Sequence, residues 1–457
     1  MSALNILKGE RNMKEINEAL AVERFQAMIR KKTVSAKDGN FDKEEFASFL
    51  PMLKEKYPKV FDVVEVQLIN EYGLLIRWKG RNEKLDPVIL MAHYDVVSDE
   101  GQDWEHPAFE AELHDGYIWG RGAIDTKCLI ASALEAMERH IEDGFIPERD
   151  IYFASSNCEE IGGDTMPKIV EWFRKNKIKP YFILDEGGAI MSSLPMGIKT
   201  PFAMVAVSEK GWGSVKLTAK SKTAAHGAKA MPGDKIPAPL KLVRALSKLD
   251  KTPVKSVMTP AVSGMLKSFA PHIDGPLKAV LKNIDVFAPV VKKVLASNAD
   301  TAAMISSAIN LTKLNAGNEN GTMPDTATAQ LNLKIAPHDT FDGVVEHIKN
   351  VVGSDIDVEV LTRSDPPAIS DHNTKSFELI SDTIKTVFPD VGVSPFILNA
   401  GTDARHFSSI CKEIYRFGAF RLDDDLFGTV HSANERIPVR DYIKCIEFYT
   451  ELIKNIG

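Results

Sequence analysis

The sequence predicts an α/β fold, a mostly parallel sheet covered by helices, interrupted by an inserted α+β two-layer domain. Three observations carry this expectation. The short apolar runs PVILMAH (87–93), IYFASS (151–156) and YFILD (181–185) alternate with stretches of helical spacing, as strands buried on both faces do. After Ser208 the chain turns to longer alternating runs with amphipathic helices between them, which fits a two-layer unit. Pro366-Pro367 then marks a return to the first pattern. The expected organisation is one domain from 1–208 and 367–457, with 209–366 inserted as a lid or dimerisation domain. A chain of 457 residues is too long for a single ordinary core.

The elements follow in order. Ile16, Ala19, Leu20, Phe25 and Met28 have helical spacing as far as Arg30. VVEVQLI and GLLIRW read as strands before PVILMAH. LIASALEAMERHI places Leu129, Ile130, Ala133, Leu134, Met137 and Ile141 on one helical face, with Gly144 as the stop. MPKIVEWFRKNKI is a second helix, between IYFASS and YFILD. Beyond Ser208, VKLTAK begins a strand and a helix follows within PGDKIPAPLKLVRALSKL. TATAQLNLKIAP, DTFDGVVEHIKNVVG and DIDVEVLTR read as strand, helix and strand. SFELISDTIKTVF and DYIKCIEFYTELIKNI are the last two helices. Residues 251–310 mix small residues, prolines and helical patches and receive no assignment.

Bulk properties narrow the class. A composition of 44% hydrophobic and 26% charged residues is that of a globular protein. A net charge of -7 argues against a general nucleic-acid binder. The most apolar stretch, KAVLKNIDVFAPVVKKVLAS, is broken by Lys282, Asp285, Lys292 and Lys293, so no spanning segment and no membrane partner are expected. Cys128, Cys158, Cys411 and Cys445 are scattered without a CxxC pair. That usage suits reduced thiols and a cytoplasmic location.

The chemistry gathers where the buried strands end. PVILMAH runs into His93 and Asp95, IYFASSNC into Glu159 and Glu160, and YFILD ends on Asp185. Ligands of open α/β sheets collect beyond the carboxyl ends of the strands. Asp125, in GRGAIDTK, precedes a helix, and His431 lies in HSANE near the C-terminus. Imidazole with carboxylate suits zinc, or cobalt and manganese in similar geometry. Five such groups are too many for one open catalytic zinc and suffice for two if a carboxylate bridges. Asp95, two residues past His93 on a strand, can accept the imidazole N–H. Of the adjacent Glu159 and Glu160, one can bind metal while the other serves as general base.

Taken singly, each of these residues has an ordinary structural explanation. A strand-end histidine is usually structural, a Glu pair usually a solvated loop, and Asp185-Glu186 before two glycines could be only a turn. Combination and order argue otherwise. His106, His114, His140, His272, His338, His347, His372 and His406 lack such a context. Cys128 and Cys158 read as small fillers rather than ligands.

The ordered motifs H-x-D, G-R-G-x-x-D, E-E-x-G-G, D-E-G, G-T-D-x-R and H-x-x-N-E resemble the aminoacylase-1/carboxypeptidase S family of co-catalytic zinc peptidases. The stretches AHYDVV, ILDEGG, AVSEKG, GTDARHF and HSANERIPV are most similar to its carboxypeptidase S branch, which includes N-fatty-acyl-amino-acid hydrolases. The resemblance implies His93 and Asp185 on one zinc, Glu160 and His431 on the other, Asp125 bridging, and Glu159 as general base. It implies that Arg405 clamps the substrate's free carboxylate, for which a guanidinium fork is suited. It also implies that His226, in the inserted domain, supports the oxyanion, often from the partner subunit of a homodimer. The expected reaction is hydrolysis of an amide bond in a small peptide or an N-acyl amino acid. Two departures stand out. Gly321 occupies a position where the family often has Asn, with Asn320 one residue away, and Thr126 follows Asp125 where a larger or acidic side chain is common.

Overall fold

The structure is a computed structural model and describes residues 15–192, 194–222, 236–297, 299–317 and 324–456. The chain divides into two compact units. One comprises Met1–Ser193, Lys375–Val391 and Gly418–Gly457, the other Leu194–Thr374 and Gly392–Phe417.

In the first unit, helices α1 (Glu18–Ile29), α2 (Lys43–Lys56) and α3 (Pro58–Val63) precede the sheet. Asp42 caps α2, its carboxylate accepting the N–H groups of Glu44 and Glu45. Strands β1 (Glu65–Ile69), β2 (Gly73–Trp78), β3 (Val88–Met91), β6 (Ile151–Ser155) and β7 (Phe182–Asp185) form a sheet in the order β1-β2-β6-β3-β7. Between β3 and β6 come the short strands β4 (Leu113–His114) and β5 (Tyr117–Trp119) and helix α4 (Lys127–Glu142). The expected parallel core is β6-β3-β7, with Val88 opposite both Ile151 and Phe182. β1 and β2 join it antiparallel, as a hairpin turning through Asn70 and Glu71 at positive φ. Every residue of β3, β6 and β7 is buried. The sheet therefore reads as continuous apolar text rather than alternation.

Helix α4 stops at Gly144, whose φ of 69° any side chain would strain. Helix α5 (Thr165–Lys175) connects β6 to β7. β8 (Ile190–Met191) pairs in parallel with β16 (Arg421–Leu422). Helices α12 (Lys375–Val387), α13 (Asp424–Thr429) and α14 (Val439–Ile456) complete the unit, α14 packing on α4. β17 (Arg436–Pro438) joins β5 and β4 in a small antiparallel sheet of order β17-β5-β4.

In the second unit β9 (Phe202–Glu209) pairs in parallel with β14 (Gly392–Leu398) and antiparallel with β15 (Ile414–Arg416). β10 (Gly211–Lys220), β11 (Ala308–Asn315), β12 (Thr326–Ile335) and β13 (Ile356–Ser364) form an antiparallel sheet in the order β11-β12-β10-β13. Helices α6 (Ala238–Lys251) and α11 (Phe341–Val352) pack on it over a shared core that includes Val215, Leu217, Leu242, Leu331, Phe341 and Ile348. The alternation of TATAQLNLKI is the reason for this one-sided core. Among the described residues the unassigned stretch contains helices α7 (Pro260–Phe269), α8 (Pro276–Lys282), α9 (Ile284–Ala296) and α10 (Ala299–Ile305) before β11 begins.

Candidate metal centre and carboxylate site

Because β6, β3 and β7 run in parallel, their C-terminal ends share one edge of the sheet. His93 leaves β3 there, buried, with Nδ1 2.9 Å from the Asp95 backbone carbonyl and Nε2 3.1 Å from Asp125 Oδ1. Donation from Nδ1 to that carbonyl fixes the tautomer and leaves Nε2 free to ligate. The imidazole N–H thus meets the backbone of Asp95 more closely than its carboxylate, which stands 3.5 Å away. The Asp95 carboxylate instead accepts from the N–H groups of Glu159 and Glu160, at 3.0 and 3.2 Å, and from the Ser35 hydroxyl at 2.7 Å. Asp95 therefore holds the Glu159-Glu160 segment, which is a turn closed by Gly162 N–H to Glu159 O rather than extended chain.

His93, Asp125 and Glu160 each offer a ligand atom within 4.8 Å of the others. His431 closes the group, its Nε2 lying 2.9 Å from Asp125 Oδ2 and 3.1 Å from Glu160 Oε2. Asp125 thus reaches one imidazole with each oxygen, as a bridging carboxylate would. Asp185 is buried at the end of β7, and its Oδ1 accepts from Glu186 N–H at 2.9 Å. Burial, then the charges of Asp125 and Asp185, push the Glu186 carboxyl well above its ordinary range. His226, Asn320 and Gly321 lie outside the described residues.

The electrostatics fit a site for cations. Burial and the neighbouring Asp125 raise the Glu160 carboxyl even though His431 opposes them. Burial would also raise Asp125, but hydrogen bonds from His431 and His93 outweigh it and hold Asp125 below the usual carboxylate range. Donation to Asp125 and Glu160 pushes His431 up to about 10. His93 also rises well above its ordinary value, because its carboxylate partners outweigh burial. The imidazoles hold protons where carboxylates converge, and divalent cations would take over that neutralising role. The donor set fits a two-metal site.

Sequence reasoning passed over the groups that fix these ligands in place. Glu435, fully buried in the H-x-x-N-E motif, accepts from Arg121 Nη1 (2.8 Å) and from the N–H groups of Gly122 (3.1 Å), Ile124 (2.8 Å) and Asp125 (3.0 Å). The β17–β5 pairing brings this segment to the GRGAID loop, and the Gln102 amide donates to His431 O at 3.0 Å. The Thr126 hydroxyl donates to His93 O and accepts from His93 N–H, at 2.9 and 3.1 Å. Thr126 therefore couples Asp125 to His93 through a short polar side chain. All four cysteines are free, and Cys128 is a buried filler whose thiol donates to Ile124 O.

In the second unit Arg405 lies in the 3₁₀ turn Asp403–Ser409, with Nε 3.6 Å from Glu209 Oε1. A Cβ on Gly401 would stand 2.6 Å from Arg405 Nη1, so the guanidinium packs closely against this glycine. Glu209 is fully buried, and its Oε2 also accepts from Arg416 Nε (2.7 Å), Thr402 Oγ1 (2.9 Å) and Thr402 N–H (3.1 Å). Two guanidiniums thus share one carboxylate. The Arg416 residue of this cluster was not anticipated, because nothing in IYRF distinguishes it before folding.

Residues 89–455 match the profile of Peptidase family M20/M25/M40. The chain is 34% identical over 436 residues to "Probable carboxypeptidase S-like 2" of Dictyostelium discoideum, covering 93% of this chain and 82% of that one. It is 31% identical over 441 residues to "N-fatty-acyl-amino acid synthase/hydrolase PM20D1" of Mus musculus, covering 95% and 87%. Its fold is similar to that of the M20 family metallo-carboxypeptidase Sso-CP2 from Sulfolobus solfataricus, with a TM-score of 0.65, 17% identity and coverage of 97% and 99%. The chain belongs to peptidase family M20/M25/M40 and is a metal-dependent hydrolase of amide bonds.

Proposed function

We propose that this enzyme cleaves an amide bond to an amino acid whose α-carboxylate is free, in the manner of a dipeptidase or carboxypeptidase. The observation that carries the reading is the convergence of His93, Asp125, Glu160 and His431 through contacts of 2.9 to 3.1 Å. With Asp185 they would hold two divalent ions, zinc in the first instance, cobalt or manganese in similar geometry. Bound there, the ions would polarise the scissile carbonyl and make water acidic near a pKa of about 7.

Glu159 takes a proton from the attacking water and returns it to the leaving nitrogen. Arg405, backed by Glu209, grips the free carboxylate bidentately. His226 supports the developing oxyanion. Residues 209–366 serve as lid and homodimer contact, a reading supported by the self-contained core beneath β10 to β13. The free cysteines support a cytoplasmic location. A second reading, N-acyl-amino-acid hydrolysis, is supported by the name of the Mus musculus relative. The departure at Gly321 is the one sequence feature favouring a non-catalytic binding protein on this scaffold, but no proposed ligand or base is missing.

The test is hydrolysis of a panel of dipeptides and N-acyl amino acids, and of their C-terminal amides, after chelation and return of zinc, cobalt or manganese. Chelator-sensitive turnover that prefers free acids is expected. Turnover indifferent to chelation would remove the reading.

A further inference from the structure

Helix α9 carries two apolar stripes where a surface helix needs one. Ile284 and Leu295 face inward and are buried. Nearly opposite, at i, i+4 and i+8, Val286 is 77% exposed, Val290 61% and Val294 64%, with Phe287 beside them at 39%. Leu277 of α8 adds a further apolar side chain, 38% exposed. Scattered exposed apolar residues are ordinary, but a continuous stripe marks an interaction surface.

The charge around the stripe indicates what covers it. α8 and α9 contain Lys278, Lys282, Lys292 and Lys293 against Asp285 alone, in a chain of net charge -7. Asp285 is taken by Lys267 at 2.7 Å. No carboxylate pairs with the four lysines among the described residues. By helical periodicity Lys293 borders the valine stripe. A two-fold contact with a second copy would set this basic rim against itself. An anionic surface would not be repelled.

We propose that α8 and α9 dock on an anionic lipid bilayer, with Val286, Phe287, Val290 and Val294 entering the boundary of the acyl layer and Lys293, at the border of the stripe, meeting the headgroups. Among the described residues no helix is long and apolar enough to cross a membrane. Lying on one asks only for an apolar stripe with a basic border, which α9 has. Each lysine near an anionic surface adds electrostatic attraction that salt screens.

The test is co-sedimentation of the full chain with vesicles of phosphatidylcholine alone or mixed with phosphatidylglycerol. Binding to the mixed vesicles at least about tenfold tighter than to neutral ones, and weakened by salt, is expected. Val290→Asp and Lys293→Glu should each weaken it about tenfold or more. Both sites are on the surface, so the thermal unfolding midpoint should be unchanged, which serves as the folding control. Failure of the wild type to bind the mixed vesicles overturns the proposal, as does unweakened binding by Val290→Asp. A lipid-free dimer that Val290→Asp dissociates would assign the face to a second copy and overturn it as well.

Discussion

The two charge clusters, one around Asp125 and one around Glu209, are opposite in sign. At the β6-β3-β7 edge, carboxylates outnumber the imidazoles that neutralise them, and Glu160 and Glu186 are both driven towards the protonated form. Around Glu209, two guanidiniums share one carboxylate, and Arg416 is fully buried. On the function proposed above, the first cluster would receive metal cations and the second the substrate's carboxylate.

The sharpest way to break this contrast is Glu159→Ala. It should lower kcat by about 10²–10⁴-fold while leaving bound metal unchanged. Metal lost in parallel would make Glu159 a ligand rather than the base. Glu435→Ala tests whether the metal site depends on a carboxylate that is not itself a proposed metal ligand. It strands Arg121 and three N–H groups, so destabilisation of about 3–5 kcal/mol is expected, read by thermal unfolding together with weaker metal affinity. Arg405→Ala should raise KM for free-carboxylate substrates about 10–10²-fold. The same change should leave turnover of their amides nearly untouched. Equal losses on acid and amide would deny the second cluster its anion.

Acidity should separate the clusters further. In the metal-free protein His431 is raised to about 10 by donation to Asp125 and Glu160. Its contribution to stability is complete below the ordinary imidazole pKa, near 6.5, and is lost as pH rises through about 10. A ligand imidazole must shed that proton, so metal affinity should rise with pH between 6.5 and 10, with proton release measurable by calorimetry across buffers of different ionisation enthalpy. The smallest effect expected is that of Thr126→Val. It removes two hydrogen bonds to the His93 backbone, at a cost of about 1–2 kcal/mol and a modest loss of kcat.

Much of the fold was legible because its signals are local. Wholly apolar runs identified β3, β6 and β7, and periodicity identified α4, α5, α11, α12 and α14. Residues 251–310 resisted because prolines and glycines break the pattern, while α9 has apolar residues on two faces instead of one. The β1–β2 hairpin was also hidden, since Asn70 and Glu71 are not the asparagine-glycine pair that announces such a turn. In the candidate site, His93, Asp125, Glu160 and His431 could be named from their motifs. Glu435 and Arg416 could not be assigned a task, because theirs is to bind atoms distant in the chain.

The sequence alone determined which side chains stand at strand ends, for strand length and the two-residue alternation are settled by neighbours in the chain. Only tertiary structure decided that His431 would reach Asp125, more than three hundred residues away, through the β17–β5 ladder and the four hydrogen bonds of Glu435. It also decided that the Asp95 carboxylate would hold a turn as well as stand beside the His93 imidazole. The reason is the same in both cases: a buried carboxylate takes whichever donors folding brings within about 3 Å, and sequence spacing does not encode that choice.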